Sequence, residues 1–236
     1  MLVLAASPAA ATCADQMFEG AQFAVCTAQA GEDLRLFLNG ADGQPYGGFA
    51  PLKADLQAQA QGQQLVFAMN AGMFQPDLSP VGLYIENGVQ RHRIVTRDGQ
   101  GNFGLLPNGV FCIGDGVLAV VESRTFAAAP LPCRYASQSG PMLVIGGALH
   151  PSFLADSKSY KIRNGVGVRA DGGVAWFVLA DTPVTFDRFA RFFRDGLGAR
   201  DALYFDGSIS RIYAPELGRS GAGFAIGPMV GLVEGN

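Results

Sequence analysis

Apolar residues recur along this chain in short runs bounded by glycine, proline, asparagine or aspartate, which is the spacing of strands. Residues 22–28, 33–38, 64–69, 82–86, 110–113 and 117–121 read as strands over the first half. Residues 142–145, 165–169, 174–179, 202–205 and 229–233 continue the series. Two stretches break the pattern. PLKADLQAQA, residues 51–60, combines good helix formers with a proline suited to a first turn. In residues 185–197, Phe186, Phe189, Phe193 and Leu197 fall on one helical face, Arg188, Arg191 and Asp195 face away, and Thr185 is placed to cap the start. That aromatic stripe reads as core, and the arginines as a solvated face. A strand, this helix and a further strand ending at Asp206 make a local α/β unit inside a strand-rich chain.

Composition supports one folded unit. With 49% apolar and 16% charged residues over 236 positions, the chain can bury a full core. No repeat, charge run or low-complexity linker divides it, and 32 glycines with 13 prolines supply many turns. The expected fold is α+β: a single strand-rich domain over residues 13–236, with a mixed sheet and few helices. A net charge of -3 gives no electrostatic reason to expect a nucleic-acid partner. No segment approaches the roughly 20 continuous apolar residues of a membrane span.

The start of the chain, MLVLAASPAAATCAD, has a short apolar run followed by small residues, like the end of a secretory signal peptide without its positive leading region. Residues 1–12 are therefore expected to be part of an export signal, which makes the destination periplasmic or secreted. The 4 cysteines fit that compartment, since none forms a C-x-x-C pair and an even number in an exported chain favours disulfides. Three pairings are open; Cys13 with Cys26 and Cys112 with Cys133 is the most local.

Several chemistries are excluded by what the chain lacks. Only His92 and His150 are available to a Ser-His-Asp triad, and both read as exposed turn or strand-edge positions. No closely spaced His/Cys pairs suit zinc, and neither a Walker loop nor a dinucleotide-binding glycine fingerprint occurs. No metal or cofactor is expected. Carboxylate, arginine, amide and hydroxyl chemistry remains.

Three blocks carry those groups. In FAMNAGMFQPDLSPVG an apolar strand runs into Asn70, which can cap a turn or bind a sugar hydroxyl or phosphate. QSGPMLVIGG precedes KIRNGVGV, which puts Arg163 and Asn164 at the mouth of a small-residue strand; arginine suits a phosphate, and a surface ion pair is its plainer role. Ser139 before Gly-Pro reads as a turn hydroxyl. In ALYFDGSISRIY, Asp206 follows an apolar strand and precedes Gly207 and Ser208, with Ser210 and Arg211 next. An Asp-Gly pair can simply turn the chain, or it can end a strand at a cleft.

Together MNAGMF with Pro80 and Gly82, then IENG, QSGPML, RNGVGV and YFDGSIS resemble the phosphodiester glycosidase family from about Gln64 to the C-terminus. The animal uncovering enzyme's pattern differs, with Asn-Gly-Gly at Asn70-Ala71-Gly72 and a glycine run after the aspartate, so this chain resembles a compact bacterial branch. The resemblance implies an exported hydrolase that cleaves the glycosidic bond of a sugar-1-phosphodiester, of the N-acetylglucosamine-1-phosphodiester kind. It implies Asp206 as the carboxylate at the anomeric carbon, Arg163 as a clamp on the departing phosphate and Glu86 as second carboxylate. Asn70, Gly72, Ser139, Asn164, Gly207 and Ser208 would bind the carbohydrate or phosphoglycan. A solvent-facing strand position is the plainer reading of Glu86. Rival readings are a non-catalytic binder of cell-envelope glycan and an acyl-transfer hydrolase built on Ser139 or Ser208.

Overall fold

Short strands separated by glycine turns assemble into three sheets in the computed structural model, which describes residues 13–58 and 62–235. The export signal expected over residues 1–12 lies outside them. The largest sheet runs Cys13–Phe18, Ala21–Gln29, Val174–Ala180, Asn164–Val168, Asp201–Asp206, Met142–Ile145 and Ala148–Leu149. A second runs Ile212–Tyr213, Gln64–Asn70, Met229–Glu234 and Leu34–Phe37. The third runs Val89–His92, Tyr84–Glu86, Cys133–Ser139, Gly109–Gly114 and Val117–Glu122.

The strand-rich α+β class is as expected. Neighbouring strands pair antiparallel throughout the described residues. The mixed sheet expected within that class is not found among the described residues, because strands that run in the same direction are separated by an antiparallel neighbour. Val174–Ala180 and Asp201–Asp206, joined through the aromatic helix, run in the same direction on either side of antiparallel Asn164–Val168.

Each apolar run overlaps an observed strand, whereas the strands not anticipated are polar or very short. Cys133–Ser139, CRYASQS, has little apolar character of its own, yet it is buried because it lies in the middle of the third sheet. Phe67, Phe111, Phe177 and Phe205, drawn from all three sheets, meet at ring separations of 5.2, 5.7 and 6.4 Å and mark the central core.

The helix predicted over 51–60 is Phe49–Ala58, buried through Phe49, Leu52 and Leu56. The aromatic helix is α over Phe186–Arg191, then widens to a π turn over Phe192–Gly196. Thr185 Oγ1 accepts from the Arg188 N–H at 3.2 Å, the expected cap. The widening also turns Phe192 inward, where it stacks on Phe23 at 4.1 Å. Burying such a ring is worth roughly 1.5–3 kcal/mol.

Both local disulfides form, Cys13–Cys26 across the first strand pair and Cys112–Cys133 within the third sheet. They fit an oxidising compartment, extracellular or periplasmic.

Candidate active site

The ends of strands from all three sheets converge at one place. Asn70 and Asp206 are the last residues of their strands, Asn164 is the first of its own and stands opposite Asp206, and Ser139 closes Cys133–Ser139. A strand end leaves backbone groups without ladder partners, and buried groups of that kind must be satisfied by side chains.

Two asparagines do this. Asn164 Nδ2 donates at 2.9 Å to both the main-chain and side-chain carbonyl oxygens of Asn70. Asn70 Oδ1 also accepts from the Arg211 N–H at 2.9 Å, and Asn164 Oδ1 accepts from the Asp206 N–H at 3.1 Å. Both side chains are fully buried. They stitch the first sheet to the second, and their polar atoms face protein. Ser139 Oγ donates to the Phe205 carbonyl at 2.9 Å, and neighbouring Ser137 Oγ to the Ala71 carbonyl at 2.6 Å. Gly72 has φ +153, and a Cβ there would lie 3.0 Å from Ser137 Oγ, so glycine lets the two segments close.

Asp206 has a different environment. Its Oδ1 accepts from the N–H groups of Gly207 at 2.6 Å and Ser208 at 2.8 Å, so the carboxylate does turn the chain. Burial raises its pKa above the ordinary aspartate value, although the Ser208, Gly207 and Ile209 N–H groups pull the other way. A cleft of about 280 Å³ opens beside this turn, lined by Ile162, Gly207, Ser208, Ser210, Arg211 and Phe224 among others.

Beneath the turn, a Cβ on Gly207 would fall 1.9 Å from Tyr204 Oη, so glycine is required for this approach. Tyr204 Oη is buried with no hydrogen-bond partner in good geometry among the described residues. Burial drives its phenol well above the usual range, only partly offset by Arg163.

Arg163 lies deeper than its reading as a surface ion pair or phosphate clamp anticipates. It is 1% exposed, donates to the Val184 and Ser159 carbonyls at 2.9 Å each, and lays its guanidinium 3.6 Å from the Phe186 ring centre. Burial lowers its pKa, and Tyr204 opposes the shift. Phe186 continues a half-buried stack through Phe153 to His150. His150 is 1% exposed, which corrects its reading as an exposed turn residue. Leu143 and Phe153 backbone bonds fold the loop over it. His92 is at a sheet edge as expected, with Nδ1 2.8 Å from the Gly82 carbonyl.

Glu86 stands apart from this group. It is half-buried, accepts from Tyr84 Oη at 3.3 Å, and its pKa is raised by burial. Its charge acts with Arg91, Tyr84, Tyr135 and Tyr46, while that of Asp206 acts with Tyr204 and the N–H groups of its own turn.

The phosphodiester glycosidase family model matches residues 63–219. The chain belongs to the phosphodiester glycosidase family. It is 36% identical over 182 residues to the uncharacterised Escherichia coli K12 protein YigE, covering 77% of this chain and 70% of that one. The zebrafish N-acetylglucosamine-1-phosphodiester alpha-N-acetylglucosaminidase catalytic domain, solved auto-inhibited by its pro-peptide, superposes with TM-score 0.58 at 15% identity over 94% of this chain and 81% of that chain. A Burkholderia pseudomallei protein described as exported gives TM-score 0.53 at 12% identity, over 90% and 74%. The phosphodiester glycosidase fold is therefore shared, and a carbohydrate is the substrate class that the family carries.

Arg211 and Phe224 line the cleft beside the Asp206 turn, and the sequence pattern assigned neither of them a role. Arg211 follows the DGSIS block directly, and its signal was present as a cation one turn beyond the aspartate. Phe224 closes the glycine-rich string GRSGAGF, whose pattern looks like an ordinary loop.

Proposed function

We propose that the protein is an exported hydrolase cleaving the glycosidic bond of a sugar-1-phosphodiester, of the N-acetylglucosamine-1-phosphodiester kind, with release of the sugar and a phosphomonoester. One observation carries this reading: the turn that holds the Asp206 carboxylate lines, through Gly207 and Ser208, the same cleft as a cation, Arg211, in a member of the phosphodiester glycosidase family.

The chemistry suits a single placed carboxylate. A phosphate ester leaves as a weakly basic anion, so departure needs charge stabilisation more than a proton. Asp206 supplies negative charge at the oxocarbenium-like anomeric carbon, as nucleophile or as base for water. When water attacks, its oxygen bonds to the anomeric carbon, the carbon–oxygen bond to phosphate breaks, and the phosphate keeps the electron pair.

Arg211 is the better placed phosphate clamp. It has no carboxylate partner among the described residues, and burial lowers its pKa, as expected for a cation held without a counter-charge. Arg163 acts from behind, bracing Tyr204 and Phe186 under the Gly207 turn. Ser208 and Ser210 present hydroxyls to the sugar, while Asn70, Asn164, Ser139 and Gly72 hold the strand ends that place Asp206. Export is supported by the two disulfides and by the likeness to an exported protein.

The test is sugar release from a synthetic N-acetylglucosamine-1-phosphodiester by the native protein. Several sugars with saturable binding and no turnover would identify a glycan binder instead.

A further inference from the structure

Phe224 is 82% exposed, more than any other large apolar side chain among the described residues, and it sits on the rim of the cleft beside Gly207 and Ser208. An exposed phenyl ring keeps apolar surface in water at about 25 cal/mol per Å². Such a ring on a scaffold that could bury it elsewhere points to a ligand.

The loop that carries it is fastened. Arg211 Nε donates to the Gly221 carbonyl at 2.7 Å, and its two terminal nitrogens donate to the Gly221 and Phe224 carbonyls. Gly221 has φ +63, and a Cβ there would lie 2.5 Å from the Phe49 ring, so the loop packs flat on the Phe49–Ala58 helix. Gly223 has φ +150, and a Cβ there would lie 3.3 Å from Arg211 Nε. The Phe224 main chain is thus fastened beside the cleft by the same guanidinium that lines it.

We propose that Phe224 is the platform on which the substrate's sugar ring lies. This rests on the cleft beside Asp206 being the substrate site. A pyranose has an edge of hydroxyls and faces of C–H groups. One face covers the phenyl ring and removes apolar area on both partners from water, while the hydroxyls turn to Ser208 and Ser210. Arg211 then couples the two halves of recognition, since its main chain is tied to Asn70 and its guanidinium to the platform loop.

Phe224→Ala, Phe224→Trp and the native protein test this, with melting temperature as the check of folding. On a sugar-1-phosphodiester, Phe224→Ala raises KM about tenfold with a much smaller change in kcat, and Phe224→Trp restores KM to within about threefold. The chain has 1 tryptophan, Trp176, so the new indole reports directly on the rim. Its emission, corrected with the native protein, changes saturably on adding N-acetylglucosamine. A folded Phe224→Ala protein with native KM overturns the platform. If the native protein turns over no sugar phosphodiester, the hydrolase reading fails, and the emission alone decides: a saturable change supports the platform, and no change overturns it.

Discussion

Asn164 and Asn70 face each other across the seam between the first and second sheets, and the Asn164 amide donates to both carbonyl oxygens of Asn70 at 2.9 Å. The same Asn164 side chain accepts from the Asp206 N–H. An amide is the side chain that serves here, because the seam needs a donor and an acceptor on one short planar group. The aspartate is therefore positioned by two residues that spend their polar atoms on protein.

Asn164→Ala removes those bonds and leaves the Asn70 carbonyls and the Asp206 N–H short of partners in a dry place. The expected cost is about 2–4 kcal/mol, read as a lower urea midpoint, with a loss of turnover under conditions where the variant is still folded. A variant of native stability would show that water replaces the amide and that the seam is not held as described.

Asp206 carries a stability sign that can be checked. Its folded pKa is raised, so the native state binds more protons than the unfolded chain between the ordinary aspartate value and the raised one. Its contribution to stability is therefore most favourable at low pH and declines as pH rises through the folded pKa. Asp206→Asn keeps an oxygen for the Gly207 and Ser208 N–H groups while removing the buried charge. Its melting temperature at neutral pH should match or exceed the native value, with the difference shrinking in acid. A lower melting temperature at neutral pH would contradict this sign. Native turnover should fall on the acid side at a pH above the ordinary aspartate range, as the carboxylate protonates.

The two arginines separate cleanly by substrate. Arg211→Gln should lower kcat/KM on a sugar phosphodiester by roughly 10²-fold or more, and on a neutral aryl glycoside of the same sugar far less. Arg163→Leu should lower stability, because it empties the space against Phe186 and frees the Ser159 and Val184 carbonyls, and any loss of activity should be similar on both substrates. If Arg163 proves substrate-selective and Arg211 does not, their roles are exchanged.

Glu86→Gln should leave turnover within about threefold of native. Removing a half-buried charge whose pKa burial has raised costs little, and Glu86 lies outside the Asp206 group. A loss of roughly 10²-fold or more would restore Glu86 as the second carboxylate.

The disulfides close separations of 13 and 21 residues, and each should contribute on the order of 3 kcal/mol by restricting the unfolded chain. Reduction should lower the urea midpoint, and alkylation of the unreduced, unfolded protein should label no cysteine. Four labelled thiols would overturn the pairing.

Much of this was legible from the sequence. The short apolar runs bounded by turn residues located the strands of the core, because strands such as Asn164–Val168 and Asp201–Asp206 are buried on both faces, and the Thr185 cap and aromatic stripe located the helix that precedes the Asp206 strand. The cysteine pairing observed is the most local of the three that the sequence left open. What was not legible depends on third dimensions of the fold. Cys133–Ser139 is polar and becomes buried only through its neighbours in the sheet. Arg163 follows Ile162 and Arg211 precedes Ile212, and nothing local says that one lies under the Tyr204 wall while the other lines the cleft. Asn70 and Asn164 looked like ligand-binding amides because a strand-end asparagine has that look until its partner, 94 positions away, is known. Phe224 was hidden by the glycines around it.

The most direct measurement is release of N-acetylglucosamine from its 1-phosphodiester by native protein and by Asp206→Asn, with melting curves of both at neutral pH. The account predicts native turnover, a loss of at least about a hundredfold in the variant, and a melting temperature no lower than native. Turnover that survives in Asp206→Asn would mean that Asp206 only turns the chain, and the proposed site would be wrong.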